Sequence, residues 1–291
     1  MSRILVTGIN SPLGQAVGRK LQAEGHVVVG TVRSSKINSQ GLPAHELVPL
    51  DLDNENSFTN ITGTFDSIVH VAGMSIGNAT DLMKSTGLGT HYLITRAKEL
   101  LTQRLIHISS MAIYGLGTEE CISETSPVLH GNAYHAARWV AECYLKSYRE
   151  NVEVVSIRTP AVAGQSTHNH FLSKVLKDMQ SQEKIIKMTN PDFGFNNIVH
   201  EETIAEFVNT LLEKRSLPEY RAVPIGSTDP IPLRKIIDIM AKATNYKGLI
   251  NWVEPKSPPF RIDSTGAIEL GYKPITTLET INRWMHEAKA E

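Results

Sequence analysis

The sequence has little of three things that mark other classes of protein: cysteine, net charge and long apolar runs. Only two of its 291 residues are cysteine, Cys121 and Cys143, so no disulfide framework is expected and a reducing cytoplasm suits the chain. Its 29 basic and 30 acidic residues nearly cancel, and neither sign forms the concentrated patch that binds nucleic acid or anionic membranes. No apolar stretch approaches the ~20 residues of a membrane-spanning helix. We therefore expect a cytoplasmic globular protein that binds neither nucleic acid nor membrane.

Through residue 160, short β-branched runs alternate with amphipathic segments, which is typical of an α/β fold with a doubly wound parallel sheet. The predicted strands are residues 4–6, 27–32, 46–50, 67–72, 105–109 and 152–157. Helical patterns lie between them at 13–24, 54–61, 89–101 and 133–148. Farther along, helices predominate at 171–179, 201–213, 233–243 and 278–288. We predict one domain over residues 1–160 and a smaller, partly interleaved region over residues 161–291.

A glycine turn follows the first predicted strand. Residues 7–14 have the sequence Thr-Gly-Ile-Asn-Ser-Pro-Leu-Gly, and such a turn directs backbone N–H groups and the positive end of a helix at a pyrophosphate. Gly8 permits the tight turn, and Gly14 allows the helix to pack closely on the strand. The alternative is a tight turn without a ligand, but the position after the first strand favours nucleotide binding.

The end of the second predicted strand carries a cation instead of an acid. An acid at this place binds the adenosine ribose of NAD, yet no carboxylate occurs between Glu24 and Glu46. Arg33 lies there, and a guanidinium binds a 2′-phosphate through two parallel hydrogen bonds. This favours NADP over NAD, unless Arg33 belongs only to a solvated loop.

Two further motifs carry chemistry. Residues 109–115 have the sequence Ser-Ser-Met-Ala-Ile-Tyr-Gly, and Tyr134 precedes Arg138 by four positions, so their side chains share one helix face. Together with the glycine turn, these motifs resemble the extended short-chain dehydrogenase/reductase family of NAD-dependent epimerases and dehydratases. That family has Ser-Ser-x-x-x-Tyr-Gly and Tyr-x-x-x-Lys, so Arg138 stands where its lysine is usual. Residues 169–171 and 192–194 resemble the 4-ketoreductase branch, typified by dTDP-4-dehydrorhamnose reductase.

The resemblance implies a Rossmann-like dinucleotide-binding domain over residues 1–160 and a substrate-binding region over residues 161–291. It implies an NAD(P)-dependent oxidoreductase or epimerase of a nucleotide-diphosphate sugar, acting as a homodimer through helices 89–101 and 133–148. The implied cofactor contacts are Gly8, Asn10, Ser11, Pro12, Leu13, Gly14, Arg33, Asp51, Leu52, Val71, Ala72, Gly73, Tyr134 and Arg138. The implied substrate contacts are Ser110, Asn169 and Phe171. His168 and His170 have no partner at metal-ligand spacing, so no metal is expected.

The implied chemistry is most simply reduction of a 4-keto sugar, in which Ser110 polarises the carbonyl and Tyr134 donates the proton. A tyrosine has an unperturbed pKa of ~10, and a fixed positive charge beside it favours the ionised form near pH 7. Arg138 can supply that charge, but it lacks the compact ammonium group with which lysine contacts ribose. A working enzyme, a slow enzyme and a regulatory or scaffold subunit that only binds nucleotide all remain open. The retained Ser110 and Tyr134 favour the enzyme.

Overall fold

The structure is a computed structural model, and it describes residues 1–34, 40–115, 119–129, 131–147, 152–164, 170–255 and 258–288. The strands in these ranges are β1 Arg3–Thr7, β2 Val27–Val32, β3 Glu46–Pro49, β4 Ser67–His70, β5 Arg104–Ser110, β6 Cys121–Ile122, β7 Glu153–Thr159, β8 Ala161–Ala163, β9 Ile185–Met188, β10 Gly194–Phe195, β11 Ile198–His200, β12 Tyr220–Pro224, β13 Ile231–Pro232, β14 Leu249–Trp252 and β15 Arg261–Ile262. The α-helices are α1 Pro12–Ala23, α2 Ala79–Leu82, α3 Gly89–Glu99, α4 Ala133–Ser147, α5 Phe171–Gln180, α6 Glu201–Glu213, α7 Leu233–Ala243, α8 Thr265–Glu269 and α9 Thr277–Glu287. Short 3₁₀ helices occupy Glu55–Asn60 and Met111–Tyr114, and a π-helical turn occupies Met83–Leu88.

Seven parallel strands form the central sheet in the order β12-β7-β5-β4-β1-β2-β3. This confirms the predicted fold class. Consecutive residues of β1 face opposite sides, so Ile4 and Val6 join a core with α1 and α6, whereas Leu5 joins a second core with α3. The order reverses at β1, between β2 and β4, and open α/β sheets bind ligands at the carboxyl ends of strands that meet at such a point.

Helix α1 has clear start and stop signals in its sequence. Ser11 is the N-cap, Pro12 is the first helical residue, and the Ser11 side chain accepts a hydrogen bond from the N–H of Gly14. These are favoured residues at a helix start. The helix ends before Gly25, whose φ of +79° suits the left-handed residue that follows many helices.

The C-terminal half differs from the sequence prediction in one important respect. We expected mainly helices there. The difference is strand β12, which pairs with β7 as an edge strand of the central sheet. Helix α6 of the same half packs against α1. A separate core of α5, α7 and α9 lies with the short strands. The boundary at residue 160 stays a prediction. No helix within the described ranges is both long and apolar enough to span a membrane.

Candidate active site

A cavity of about 370 Å³ opens at the carboxyl ends of β1, β2 and β4. The predicted cofactor residues that line it are Gly8, Asn10, Ser11, Arg33, Leu52, Val71, Ala72 and Gly73. Thr31, Leu50 and Ser85 also line it and were not predicted. Ser85 reaches the cavity from the π-helical turn, which no pattern in the sequence indicates. We call this cavity the dinucleotide groove, after the ligand that the sequence predicts for it.

The glycine turn is too tight for a side chain at two positions. Gly8 has a φ of +71°, and a Cβ there would lie 3.0 Å from the Cα of Ala72. A Cβ on Gly14 would lie 2.2 Å from the carbonyl oxygen of Gly8. Ser11 folds back into the turn, since its hydroxyl donates to the Gly8 carbonyl over 2.8 Å. The turn therefore keeps backbone, and no bulky side chain, at the groove.

In the first turn of α1, some backbone N–H groups are already hydrogen-bonded within the chain. Pro12 has no N–H, and the N–H groups of Gly14 and Gln15 are bonded to Ser11. Because the first N–H groups of a helix have no partner within it, the donor left for an anion is the N–H of Leu13. The Leu13 side chain itself is buried in the core beneath.

Arg33 stands at the mouth of the groove with a side chain that is 60% exposed. Its Nε lies 4.0 Å from Oδ1 of Asp51, and the same oxygen accepts a hydrogen bond from the N–H of Asp53. An exposed pair at this distance contributes little to stability. The Arg33 guanidinium is thus placed to bind an anionic group of a ligand at the mouth of the groove, separate from the one that the N–H of Leu13 would bind.

Arg138 is buried, with 8% of its surface exposed. Its Nη1 donates to the carbonyl of Ile108 over 3.0 Å, and its Cζ lies 5.6 Å from the centre of the Tyr134 ring. A Cβ built on Gly73 would come within 3.0 Å of Nη2, so the guanidinium packs against the groove wall. Among the described residues, nothing accepts a hydrogen bond from the buried Nε. A buried donor without a partner is costly.

His70 lies beneath the groove at the end of β4 and is neutral by its hydrogen bonds. Its Nε2 lies 3.0 Å from the hydroxyl of Thr90, which itself donates to the carbonyl of Thr86. The Thr90 oxygen must then accept from Nε2–H, which leaves Nδ1 to accept from Thr7 at 2.7 Å. The network ties the ends of β1 and β4 to α3.

His107, on β5, stacks on His70 with ring centres 5.5 Å apart. Burial, followed by the positive charge of Arg138, lowers the pKa of His70 to about 3. Burial, the neighbouring His70 and Arg138 hold the pKa of His107 well below its ordinary value. Both rings are therefore uncharged at neutral pH, when Arg138 is positive.

The two predicted catalytic hydroxyls lie on neighbouring elements. Ser110 ends β5, and its Oγ accepts a hydrogen bond from the N–H of Ala112 over 3.1 Å. Tyr134 lies in the first turn of α4. Both are partly exposed, and Arg138 contacts the Tyr134 ring as well as β5 two residues before Ser110.

A second cavity of about 540 Å³ lies among elements of the C-terminal half. Phe171 opens α5 with 47% of its surface exposed, and it packs edge-to-face on Phe195 at 5.7 Å. Lys187 and Asn197 add polar groups, and Gly115, directly after the 3₁₀ helix that follows Ser110, also lines this cavity. We call it the aromatic cavity. Asn169 and His168 lie outside the described residues, and His170 is the N-cap of α5.

The sequence prediction missed a buried ion pair that contacts Ser109, formed by Glu142 of α4 and Arg158 of β7. A signal existed, because Glu142 follows Tyr134 by eight positions and Arg138 by four, on one face of the helix. Its partner strand could not be identified from spacing.

The sequence model of the NAD dependent epimerase/dehydratase family matches residues 4–226. The chain therefore belongs to that family. A human relative, dTDP-D-glucose 4,6-dehydratase, is 25% identical over 203 residues, which are 66% of this chain and 58% of that protein. The matched segment thus spans less than two thirds of that relative.

Solved structures with the same fold are more distant in sequence. The UDP-Glc/GlcNAc 4-epimerase of Campylobacter jejuni has a TM-score of 0.83 at 18% identity, covering 100% of both chains. WbmG of Bordetella bronchiseptica, solved with NAD and UDP, has a TM-score of 0.84 at 15% identity, covering 99% of this chain and 95% of the other. These likenesses show the fold.

Proposed function

We propose that the protein is an NADP(H)-dependent oxidoreductase or epimerase of a nucleotide-diphosphate sugar, most simply a 4-keto reductase. One observation carries the proposal: Arg138 touches the groove wall at Gly73, the Tyr134 ring and the strand that ends in Ser110. The predicted cofactor site and the elements that carry the two candidate catalytic hydroxyls therefore meet at one buried charge. The names of the human dehydratase and the Campylobacter epimerase support this class of substrate.

The residues have distinct roles in this proposal. Gly8, Leu13 and Arg33 would hold the dinucleotide, whose nicotinamide supplies or accepts a hydride when bound. Ser110 would donate a hydrogen bond from its hydroxyl to the oxygen of the substrate carbonyl, and Tyr134 would transfer a proton to the same oxygen. Arg138 keeps a fixed positive charge beside the Tyr134 ring.

The aromatic cavity would receive the nucleotide. Its apolar walls, with Phe171 and Phe195 at one side, suit a flat base, and Lys187 offers a charge to a phosphate. Its contact with Gly115 puts the cavity next to the segment that carries Ser110. A homodimer through α3 and α4 and a cytoplasmic location stay predictions.

The rival proposal is a nucleotide-binding regulatory or scaffold subunit. It is favoured by the bond from Arg138 to the Ile108 carbonyl, because an arginine with a purely structural task would be held in this way. The two proposals differ in turnover.

Turnover of 4-keto nucleotide sugars tests the choice between them. We expect the wild type to consume NADPH with such a substrate, and Tyr134→Phe to lose activity by about 10²–10⁴-fold, the usual contribution of a general acid. Absorbance at 340 nm measures both. His135→Gln, a change of the neighbouring and also partly exposed residue, is the control and should stay within a few-fold. Loss of activity in the control but not in Tyr134→Phe would contradict the assignment.

Arg138→Lys separates the enzyme from the regulatory subunit. If arginine only replaces the charge of lysine, the variant should change the rate by less than about tenfold in either direction, because the positive charge is retained. Activity that appears in Arg138→Lys and is absent from the wild type would show a degenerate site and support the rival.

Cofactor choice is tested by calorimetric titration with NADPH and NADH. We expect tighter binding of NADPH, and a loss of about 1.5–3 kcal/mol of its binding free energy in Arg33→Ala, since a hydrogen bond to a charged group is removed. Arg234→Ala is the control, because Arg234 is similarly exposed and is paired with Asp192 at 3.3 Å. Equal affinity of the wild type for both cofactors would reject the preference for NADP.

A further inference from the structure

The carboxylate of Glu142 is wholly buried, at 0% exposure. It accepts hydrogen bonds from Arg158 through Nε at 3.1 Å and Nη2 at 2.7 Å, from the Ser109 hydroxyl at 2.5 Å and from the Tyr220 hydroxyl at 3.3 Å. Removing two charges from water is expensive, and only full pairing with good geometry offsets the cost. An apolar pair of similar volume would serve stability as well, so the pair calls for another explanation.

The ion pair contacts both ends of one short segment, residues 109–114. Glu142 binds the hydroxyl of Ser109 at its start. Arg158 donates from Nη1 to the hydroxyl of Tyr114 at its end, over 2.5 Å, and Tyr114 in turn donates to the carbonyl of Ser123. The backbone of Ser109 is held too, because the hydroxyl of Thr159 donates to its carbonyl at 2.9 Å.

Ser110 lies inside this segment. It follows Ser109 directly, and its hydroxyl starts the 3₁₀ helix that ends at Tyr114. Glu142 shares its helix face with Tyr134, eight residues earlier. The helix that carries the candidate proton donor therefore also fixes the strand end that carries the second hydroxyl.

We propose that Glu142, held by Arg158, is a positioning residue that clamps residues 109–114 and so sets the place of Ser110 relative to Tyr134. The inference rests on the proposed function, in which Ser110 contacts the substrate carbonyl. The clamp acts on the geometry of the chemical step through Ser110, and Glu142 itself lines neither the dinucleotide groove nor the aromatic cavity.

Ser109→Ala tests the clamp with a minimal change, because Glu142 keeps its bonds to Arg158 and Tyr220. We expect kcat to fall by about 10–100-fold, in line with the cost of a displacement of about 1 Å at a reacting group. The KM for the nucleotide sugar and the Kd for NADPH should stay within about twofold. Ser227→Ala is the matched control: Ser227 is a buried serine after β12 whose hydroxyl donates to the carbonyl of Ile198, outside the clamp. It should keep the wild-type kcat.

An unchanged kcat in Ser109→Ala would overturn the proposal, and so would an equal loss in both variants, which would indicate general destabilisation. Crystal structures of the two variants give a readout that needs no turnover. We expect residues 109–114 to move in Ser109→Ala, with loss of the bond between Ser110 Oγ and Ala112 N, and to stay in place in Ser227→Ala. If the wild type is inactive on nucleotide sugars, the proposed function fails, while a segment that stays in place in both structures shows that the clamp itself fails.

Discussion

The environment of the Arg138 side chain depends on residues that are distant in sequence. Helical spacing alone predicts that it shares a face with Tyr134, and its Cζ lies 5.6 Å from that ring. Its contacts with Ile108 and Gly73 depend on the packing of α4 over β4 and β5, which spacing cannot specify. The replacement of lysine is visible in the sequence, whereas the buried Nε beside the groove is visible only in the fold.

Gly14 gives a prediction about a single atom. In Gly14→Ala the new Cβ would lie 2.2 Å from the Gly8 carbonyl oxygen. The backbone of both residues is part of the tight turn, so neither can move away easily. We expect a loss of at least about 1–3 kcal/mol of unfolding free energy, as for overpacked cores, together with weaker NADPH binding. Urea denaturation and calorimetry measure the two effects.

Gly131→Ala is the control for this prediction. A Cβ there meets nothing closer than 3.8 Å, so its stability should stay within about 0.5 kcal/mol of the wild type. Equal stability of the two variants would mean that the turn at Gly8 and Gly14 relaxes freely.

The strands β4 and β5 carry two buried histidines, His70 and His107, into the middle of the sheet, and this was not predicted. The sequence indicated both strands from their apolar character, yet histidine is only moderately common in buried positions. The pairing register sets His70 directly beside His107. Thr7, Thr90 and Ser156 bind three of their four ring nitrogens, and Nε2 of His107 has no partner among the described residues. Such partners come from other elements, so the sequence predicts the strands but not the hydrogen bonds of the polar side chains buried in them.

The buried histidines predict a loss of stability in acid. The folded state holds both neutral, with a pKa of about 3 for His70 and one well below the usual value for His107, whereas in the unfolded chain they titrate near 6.5. Below pH ~6.5 the unfolded state binds more protons, so the unfolding free energy falls as the pH falls. Above that pH the two histidines do not change the unfolding free energy. Each histidine should contribute about 1.4 kcal/mol of loss between pH 7.5 and pH 5.5.

Urea denaturation at the two pH values measures this loss. In His107→Asn, whose amide can replace the ring nitrogen that binds Ser156, the loss should shrink by about 1.4 kcal/mol relative to the wild type. His286→Asn, a change of an exposed histidine, should leave the loss unaltered. An unchanged pH dependence in His107→Asn would show that His107 is protonated in the folded protein at pH 5.5.

The molecule combines a sheet that is largely predictable with a site that is partly so. Six of the seven sheet strands follow from apolar runs and their spacing, and the glycine turn marks where the groove lies. Strand β12 was missed because three of its five residues are only partly buried and it joins the sheet from the C-terminal half. The Glu142–Arg158 pair was missed because its members lie on separate elements that only the fold brings together.

A crystal structure of the protein with NADP⁺ and a nucleotide-diphosphate sugar tests the central claim most directly. The account predicts that Oη of Tyr134 and Oγ of Ser110 both lie within ~3 Å of one oxygen of the sugar, as proton transfer and carbonyl polarisation require. The nucleotide should lie in the aromatic cavity and the cofactor in the dinucleotide groove. A bound dinucleotide with Tyr134 and Ser110 directed away from each other, and no ordered sugar between them, would contradict the enzyme and favour the regulatory subunit.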